Sequence, residues 1–426
     1  MAIAILFGVL LMLLVMGVPV GFALIAAALA TVLYLDLPAI VVVQQTAAGA
    51  GITSLLAIPL FIFAGEMMMR GGISDRLIAL AASLVGHLRG GLGQVNVLAS
   101  LFFGGVSGSA IADVSAIGGT MIPQMVNRGY DRDFAVNVSI SAALVALLVP
   151  PSHNLILFSA AAGGSISIAD LFAAGIAPAL LLTAVLMITG WMIARRRGYG
   201  TEAFPGLREV VRRFIAALPG LLLVALIFIG IRAGIFTAIE SASIAVIYAV
   251  LVTGVVYRHL TLEVFLETCI GAVRTTGLIL FIIGAAASFG WLLAYLEVPA
   301  AAVDFLTRIS ENKNVLLLLM VLLLLALGTF MDLAPLIIIC TPIFLPIAKA
   351  IGVDPVHFGV ILILTGGIGL ITPPVGSVLF VGTAIGKISV TETLRTIWPF
   401  YLATLAVLFI VTFVPIVSLW LPALLK

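Results

Sequence analysis

The chain has 426 residues, of which 63% are hydrophobic and only 9% carry a charged side chain. Soluble domains average about 25% charged residues, so this composition excludes an ordinary soluble globular protein. The net charge of +2 gives no reason to expect a nucleic-acid partner. Cys269 and Cys340 lie in or beside apolar runs and form no motif, which favours two reduced, buried thiols.

The segment from Met1 to Leu35 is almost unbroken apolar sequence without a leading Lys or Arg. A secretory signal would begin with basic residues and have a shorter apolar core, so we expect two membrane spans that turn near Gly17. A span needs about 20 apolar residues. This criterion predicts about ten transmembrane helices, which begin near residues 2, 17, 54, 134, 170, 214, 237, 275, 357 and 397.

Two further apolar stretches, at about 94–121 and 314–348, are interrupted in the middle by small polar residues. The interruptions are Ser107–Ser109 and Gly328–Thr329, and each half is too short to cross a bilayer alone. We therefore expect two re-entrant helical hairpins. Irregular backbone at membrane depth is tolerated only inside protein or beside a wet cavity, so the hairpin tips are expected to face an internal site.

The Lys and Arg residues are concentrated in every second predicted loop. Six arginines lie in 195–213, the long polar linker, and the excess of Lys and Arg marks cytoplasmic loops. Alternation then places fifteen of the twenty Lys and Arg residues inside and both termini outside. The remaining five are expected outside: Arg232, Arg308, Lys313, Lys349 and Lys426. The hairpins then open to opposite sides, which predicts an all-α polytopic protein with two inverted-topology repeats, 1–194 and 214–426, joined by the linker. The amphipathic stretch 261–274 is expected to lie on the inner surface or to brace the fold.

The two predicted repeats carry matching interruptions. Asp113 and Asp332 each precede a proline by ten positions, and the pairs Pro150-Pro151 and Pro373-Pro374 each begin nineteen positions after an aspartate. Pro123 follows Asp113 and Pro342 follows Asp332, while Asp131 precedes the first proline pair and Asp354 precedes the second. Adjacent prolines remove backbone donors and clash with the preceding turn, so each pair is predicted to break a full span. A duplicated break of this kind indicates a transporter site built from interrupted helices.

Asp113 and Asp332 are the main ionisable candidates. A carboxylate at membrane depth is costly unless it is paired, solvated or bound to a cation. Each could instead cap the second arm of its hairpin, and Asp113 fits that role well. Because intramembrane ionisable groups are functional by default, we favour a role in the site.

Hydroxyl side chains lie at the same interruptions, at Ser107, Ser109, Ser152, Thr329 and Thr372. Oxygen ligands suit Na⁺, and unwound carbonyls supply more of them, while half-helix N-termini attract anions. One such hydroxyl alone more often bonds to its own helix, but the repetition at both breaks favours ion sites. Gly366, Gly367 and Gly369 would let the backbone approach the second tip closely.

His153 and Asn154 follow the first proline pair. The histidine could contact a substrate carboxylate or hydroxyl, and a buried neutral histidine with a backbone partner is the alternative. Glu66 is interpreted as structural. The sequence shows no phosphate-binding loop, zinc-spaced cluster or nucleophile–base pair, which argues against an enzyme.

At this point the residues resemble a known family, the DctM-type large membrane subunit of tripartite ATP-independent periplasmic (TRAP) transporters, within the ion-transporter superfamily. The matching segments are Ser107–Asp113, Pro123, Arg128–Asp131, Pro150–Ser152, Met331-Asp332, Thr341-Pro342, Gly352–Gly359 and Gly369–Gly376. The resemblance covers essentially the full length of the chain, and these segments are its most specific parts.

The resemblance implies Na⁺-driven uptake of an organic acid, a carboxylate or sugar acid, across a bacterial or archaeal inner membrane. It implies an elevator mechanism with scaffold and transport domains, and two partners, a small four-span membrane subunit and a periplasmic substrate-binding protein. Na⁺ is the coupling ion and no other cofactor is expected. The implied metal-binding residues are Ser107, Ser109, Asp113, Pro150, Thr329, Asp332, Gly366, Gly367, Thr372 and Pro373. The implied substrate-binding residues are Ser109, Ser152, His153, Asn154 and Asp332.

The sequence departs from the family pattern in one place. Family members often carry Ile-Pro after Pro-Pro-Ser, where this chain has His153-Asn154, which leaves the substrate class open. The nearest alternative function is a stand-alone Na⁺/carboxylate symporter of the same superfamily. A passive channel does not explain the paired sites, and a purely structural anchor leaves the duplicated breaks unexplained.

Overall fold

The computed structural model of the protein describes residues 1–298, 300–301, 310 and 312–425. Within these ranges the regular structure consists of α-helices with short 3₁₀ and π turns, and contains no strand. This agrees with the composition, because a helix satisfies its backbone hydrogen bonds within one segment and can therefore lie in lipid. The predicted all-α class is confirmed. The predicted outer-face residues Arg308 and Lys426 lie outside the described residues.

The first half of the chain contains helices α1 (Ala2–Val15), α2 (Val20–Tyr34), α3 (Ile40–Ala50), α4 (Ala57–Arg70), α5 (Ile73–Val85), α6 (Gly91–Ser107), α7 (Ala110–Asp113), α8 (Gly119–Asn127), α9 (Arg132–Ala142), α10 (His153–Ala161) and α11 (Ile168–Arg197). A π turn at Val114–Gly118 joins α7 to α8, and 3₁₀ turns at Thr53–Leu56 and Ala143–Leu147 adjoin α4 and α9.

The second half contains α12 (Leu207–Arg232), α13 (Ala238–Leu251), α14 (Leu262–Tyr295), α15 (Lys313–Gly328), α16 (Leu333–Ala350), α17 (Pro355–Leu370), α18 (Ser377–Gly386), α19 (Val390–Thr396), α20 (Trp398–Phe413) and α21 (Ile416–Leu424). A π turn at Val252–Val256 extends α13. Helix α11 ends at Arg197 and α12 begins at Leu207, so only 198–206 of the predicted linker lies outside helices.

Five helices of the described ranges are long and apolar enough to cross a membrane, namely α11, α12, α13 with its π turn, α14 and α16. Two bent pairs, α18–α19 at 104° and α20–α21 at 58°, raise this number to seven if each pair forms one span. The other predicted membrane segments appear mostly as shorter apolar helices, including α1, α2, α6, α15 and α17. The orientation of the termini stays a prediction.

The amphipathic stretch 261–274 forms the first turns of a longer helix, and its place on the inner surface stays a prediction. Thr261 caps one continuous helix, α14, which runs for 34 residues through the predicted start of a span at 275. At 1.5 Å per residue this helix is about 50 Å long, whereas the hydrocarbon core of a bilayer is about 30 Å thick. Its first turns therefore extend beyond the core or the helix is tilted.

Both predicted hairpins and both predicted breaks are present. The expectation that each hairpin arm is too short to cross a bilayer is wrong for α16, which has 18 residues. Helices α6 and α7–α8 are separated at Gly108-Ser109 and pack against each other, and α15 and α16 do the same around residues 329–332. Helix ends on either side of Pro150-Pro151 and Pro373-Pro374 confirm the two broken spans. Both pairs are joined by cis peptide bonds.

One constant offset of 223 positions relates the hairpin and break of the first half to those of the second. It pairs the helix caps Ser109 with Asp332 and Asp131 with Asp354, and it pairs Pro150 with Pro373. The predicted equivalence of Asp113 with Asp332 is therefore wrong by four residues, one helical turn. Helix α16 contains both Pro342 and Pro346, and Pro346 is the counterpart of Pro123.

The helices form two groups. The frame group comprises α1–α4 and α12–α14, in which α14 packs on α2, α3 and α4. The hairpin group comprises α6–α11 and α15–α21, in which α11 packs on α6, α20 and α21. Helix α5 contacts both α6 and α12 and so connects the groups. Each group takes helices from both halves of the chain.

Candidate functional site

The tip of the first hairpin rests on the first broken span. Gly108 ends α6 with φ +60°, and a Cβ on it would lie 3.1 Å from the carbonyl oxygen of Pro151. This close approach and left-handed backbone both require glycine. Asn154, which is buried, donates a hydrogen bond of 3.0 Å from Nδ2 to the Gly108 carbonyl. The first hairpin tip and the residues after Pro150, both implied to belong to the site, therefore lie side by side.

Ser109, not Asp113, caps the second arm of this hairpin. The Ser109 hydroxyl accepts a hydrogen bond of 3.3 Å from the Ala112 amide. Asp113 lies one turn further and is 1% exposed, with Oδ2 accepting a bond of 2.7 Å from the Ser100 hydroxyl of α6. Its Oδ1 has no hydrogen-bond partner among the described residues. The capping alternative for Asp113 is wrong, and its carboxylate lies behind the tip.

The tip of the second hairpin rests on the second broken span. Asp332 caps α16 by accepting a bond of 2.9 Å from the Leu333 amide. The Ser377 hydroxyl, at the start of α18, donates to the same Asp332 oxygen at 3.3 Å. The Val375 amide donates to the Thr329 carbonyl at 3.0 Å, which ties the break to the hairpin backbone.

Glycines bring α15 and α17 into backbone contact below this second tip. A Cβ on Gly369 would lie 2.4 Å from the carbonyl carbon and oxygen of Gly328. A Cβ on Gly366 would lie 2.5 Å from Leu333, whereas one on Gly367 would meet Leu147 of the other half at 2.7 Å. The predicted close approach to the second hairpin is present at Gly366 and Gly369, of which Gly369 makes the tighter contact, and is wrong for Gly367, which packs against the first half.

Three of the predicted hydroxyl ligands donate to carbonyls near them in the chain. Ser152 donates to Leu147 at 2.7 Å, Thr329 to Ala326 at 2.8 Å and Thr372 to Ile368 at 2.7 Å. These are the local bonds that the sequence offered as the alternative to a ligand role. Each hydroxyl oxygen still has a lone pair, so the bonds leave its predicted role as a metal ligand open.

The two tips meet at one cavity of about 550 Å³, a size typical of small-molecule sites. The hairpin group supplies five predicted site residues to its wall: Ser107, Ser109, His153, Asn154 and Asp332. The frame group supplies the opposite wall from α4 and α14: Ile62, Gly65, Glu66, Met69, Thr275, Leu278, Ile279 and Ile282. The cavity therefore lies between the two groups of helices.

The remaining predicted site residues do not line this cavity. They lie behind the tips or in the breaks: Asp113, Pro150, Ser152, Thr329, Gly366, Gly367, Thr372 and Pro373. Sequence reasoning missed Ser377 as a partner of Asp332, although the 223-position offset from Asn154 would have identified it. It interpreted Glu66 as structural, and in the structure Glu66 lines the cavity and pairs with Arg70 at 3.4 Å.

The charge of the cavity wall is negative. Asp332 and Glu66 are carboxylates, and no Lys or Arg is among the described residues that line the cavity. Arg70 pairs with Glu66, whose charge it partly neutralises, and also with Glu267. Positive potential within the cavity comes from the N-terminal amides of α10 and α16, whose helices begin at its wall. Such a wall suits a cation together with an anion better than an anion alone.

Comparison with known proteins identifies the chain. Residues 7–417 match the family described as the DctM component of the tripartite ATP-independent periplasmic transporter. The 2,3-diketo-L-gulonate TRAP transporter large permease protein YiaN of Escherichia coli K12 is 36% identical over 416 residues, 97% of each chain. The sialic acid TRAP transporter large permease protein SiaM of Vibrio cholerae is 39% identical and covers 96% of this chain and 95% of its own length.

A solved structure shows the same fold. The Alcanivorax borkumensis YdaH transporter superposes with a TM-score of 0.64 over 90% of this chain and 87% of its own, at 15% sequence identity. The two TRAP relatives are permeases, which confirms that the chain is a transporter subunit and not an enzyme. The chain belongs to the DctM family and is a large permease subunit of a TRAP transporter.

Proposed function

We propose that this subunit takes up an organic acid, a carboxylate or sugar acid, together with Na⁺ across the inner membrane. The observation that carries the proposal is the single cavity at which both hairpin tips meet. It brings Ser107, Ser109 and Asp332 within one space of about 550 Å³, beside His153 and Asn154.

The charge of the cavity supports cation coupling. An organic acid would enter a space whose wall carries two carboxylates, Asp332 and Glu66, and lacks Lys and Arg among the residues described. A bound cation would offset that repulsion, and hydroxyl, carboxylate and carbonyl oxygens are suitable Na⁺ ligands. Transport of the acid would then depend on Na⁺ for electrostatic reasons.

The relatives support the substrate class. YiaN is named for 2,3-diketo-L-gulonate and SiaM for sialic acid, both of which are sugar acids. Asn154 and His153 add amide and imidazole groups to the cavity, and such groups hydrogen-bond to hydroxyls and carboxylates. Membership of the family supports two partners, a small membrane subunit and a periplasmic binding protein, in a multi-pass arrangement in the inner membrane.

The two helix groups support an elevator mechanism. The cavity lies where the hairpin group faces α4 and α14 of the frame group, so movement of one group past the other would carry the cavity with its tips. The chain passes from one group to the other at α5, at the loop 198–206 and between α14 and α15. This arrangement suits a rigid-body displacement of the hairpin group.

Reconstitution tests the proposal. The chain and its small membrane subunit are placed in proteoliposomes, and uptake of radiolabelled sialic acid and C4-dicarboxylates is measured with and without a Na⁺ gradient and the binding protein. Uptake that requires both is the expected result. Na⁺-dependent uptake by the chain alone would instead support the stand-alone symporter, and downhill flux without Na⁺ would support a channel.

A further inference from the structure

A second cavity, of about 540 Å³, opens among the frame-group helices away from the hairpin tips. Its wall includes Arg70, Arg76 and Arg213 together with His259, and Asp75 is its acidic member. All five lie in or beside segments that the distribution of Lys and Arg predicts to be cytoplasmic. The cavity therefore gathers three guanidinium groups at the predicted cytoplasmic end of α4, α5 and α12.

Two of these arginines already have carboxylate partners. Arg70 pairs with Glu66 and Glu267, and Arg213 donates from Nε to Glu209 at 2.7 Å. Arg76 has no carboxylate within 4.0 Å among the residues described. Arg76 is therefore the guanidinium of the cavity wall that no carboxylate engages, while Asp75, in the same wall, likewise has no Lys or Arg within 4.0 Å among the residues described.

Arg76 is held in place by groups that do not neutralise it. Its Nη1 donates to the Gly72 carbonyl at 2.6 Å, and its guanidinium carbon lies 3.7 Å from the centroid of the Tyr257 ring. A cation over an aromatic face keeps its charge and leaves the edge of the guanidinium fork free for oxygen acceptors. Gly72 has φ +80°, and a Cβ there would lie 3.2 Å from Nη1 and 4.0 Å from His259. The missing side chain keeps the space in front of Arg76 open.

Exposed apolar side chains adjoin this basic cavity along the chain. Val255 and Val256, which precede Tyr257, are 69% and 57% exposed, and Ile215, two residues after Arg213, is 61% exposed. Exposed apolar side chains of a membrane protein are suited to contact with acyl chains, which would bring lipid close to the arginines. Basic pockets between helices on the cytoplasmic side are suited to anionic headgroups.

We propose that this cavity binds a phosphate-bearing anion, with the fork of Arg76 as its principal ligand. Two sources offer that chemistry, the phosphodiester headgroup of an anionic phospholipid and free inorganic phosphate. The adjoining apolar surface favours the lipid. The site is separate from the transport cavity and does not depend on the transported solute.

Binding to the purified full-length protein tests the proposal. Native mass spectrometry measures retention of phosphatidylglycerol against phosphatidylcholine, and thermal unfolding measures protection by inorganic phosphate at constant ionic strength. The variant Arg76→Gln removes the free fork, and Arg76→Lys keeps the charge without the fork, which maintains a test if Arg76→Gln does not fold. The control is Arg208→Gln, the same charge change at an exposed position of α12 outside the cavity.

Preferential retention of phosphatidylglycerol, weakened about tenfold by Arg76→Gln, less by Arg76→Lys and not by Arg208→Gln, is the expected result. Protection by inorganic phosphate that disappears in Arg76→Gln, with equal retention of both lipids, would assign the site to free phosphate. Equal binding of both ligands by wild type and the Arg76 variants would overturn the proposal. An equal loss in Arg208→Gln would do the same, because it would mean a general attraction to basic surface.

Discussion

Asn154 donates its Nδ2 proton to the carbonyl oxygen of Gly108 and so fastens the first broken span to the first hairpin tip. Its counterpart 223 positions later is Ser377, which donates to the Asp332 carboxylate instead. The first junction is thus a neutral amide–carbonyl bond, and the second joins a hydroxyl to a charged group. Because only the second tip is capped by an acid, the charge of Asp332 can be tested separately from its role as a helix cap.

We expect Asp332→Asn to lose uptake while keeping stability. Asparagine caps a helix about as well as aspartate, whereas Asp332→Ala also loses the cap, at a cost of about 1 kcal/mol. Both variants should reduce Na⁺-dependent uptake about tenfold, because both remove a carboxylate from the cavity wall. Uptake in proteoliposomes and thermal unfolding are measured together. Normal uptake by a well-folded Asp332→Asn protein would show that the charge is not needed.

Ser107→Ala should raise the Na⁺ concentration for half-maximal uptake about tenfold, because it removes one oxygen from the first tip without changing charge. Ser115→Ala is the matched control. Ser115 lines the same cavity, and its hydroxyl donates to the Ile111 carbonyl of its own helix at 2.7 Å. Uptake is titrated with NaCl at constant ionic strength. An unchanged Na⁺ curve for Ser107→Ala, or equal shifts for both variants, would argue against a ligand role.

Gly369→Ala should separate the second broken span from its hairpin. The added Cβ would lie 2.4 Å from the backbone of Gly328, which cannot rotate away, so we expect about 1–3 kcal/mol of destabilisation and a loss of uptake. The control is Gly277→Ala in α14, where a Cβ would meet nothing within 4 Å. Equal thermal stability and uptake in the two variants would contradict the close contact of α15 with α17.

The breaks and tips could be predicted because their signals are local. Two adjacent prolines cannot continue a helix, and small polar residues in the middle of an apolar stretch indicate a turn at membrane depth. The predicted equivalence of Asp113 with Asp332 in the two repeats was wrong because it rested on the spacing to a nearby proline. Helix α16 carries two prolines four residues apart, and the spacing was matched to Pro342, whereas Pro346 is the counterpart of Pro123.

The opposite wall of the cavity could not be predicted in this way. Glu66 lies on α4 and Thr275 on α14, far along the chain from either hairpin, and their place depends on how the frame group packs against the tips. A single sequence contains no signal for that packing. The same limit applies to α14, where amphipathic periodicity at 261–274 did not reveal that the helix continues unbroken into the apolar run.

The last prediction concerns relative movement of the two helix groups. Asp170 at the start of α11 pairs with Arg232 at the end of α12 at 2.9 Å, and this ion pair joins the hairpin group to the frame group. If uptake requires the groups to slide, a reversible bis-methanethiosulfonate cross-link between Asp170→Cys and Arg232→Cys should reduce uptake to background, and reduction should restore it. Cys269 and Cys340 are first replaced so that no other thiol reacts.

A pair within one group provides the control. Asp133 and Arg197 are also joined, at 2.7 Å, but both belong to the hairpin group and would move together. Cross-linking Asp133→Cys to Arg197→Cys should therefore leave the rate of uptake unchanged, as should the reagent on each single-cysteine variant. Undiminished uptake through the Asp170–Arg232 cross-link, with its formation verified by mass spectrometry, would rule out sliding at this boundary, because a covalent bridge of a few ångströms cannot follow a rigid-body displacement of one group past the other.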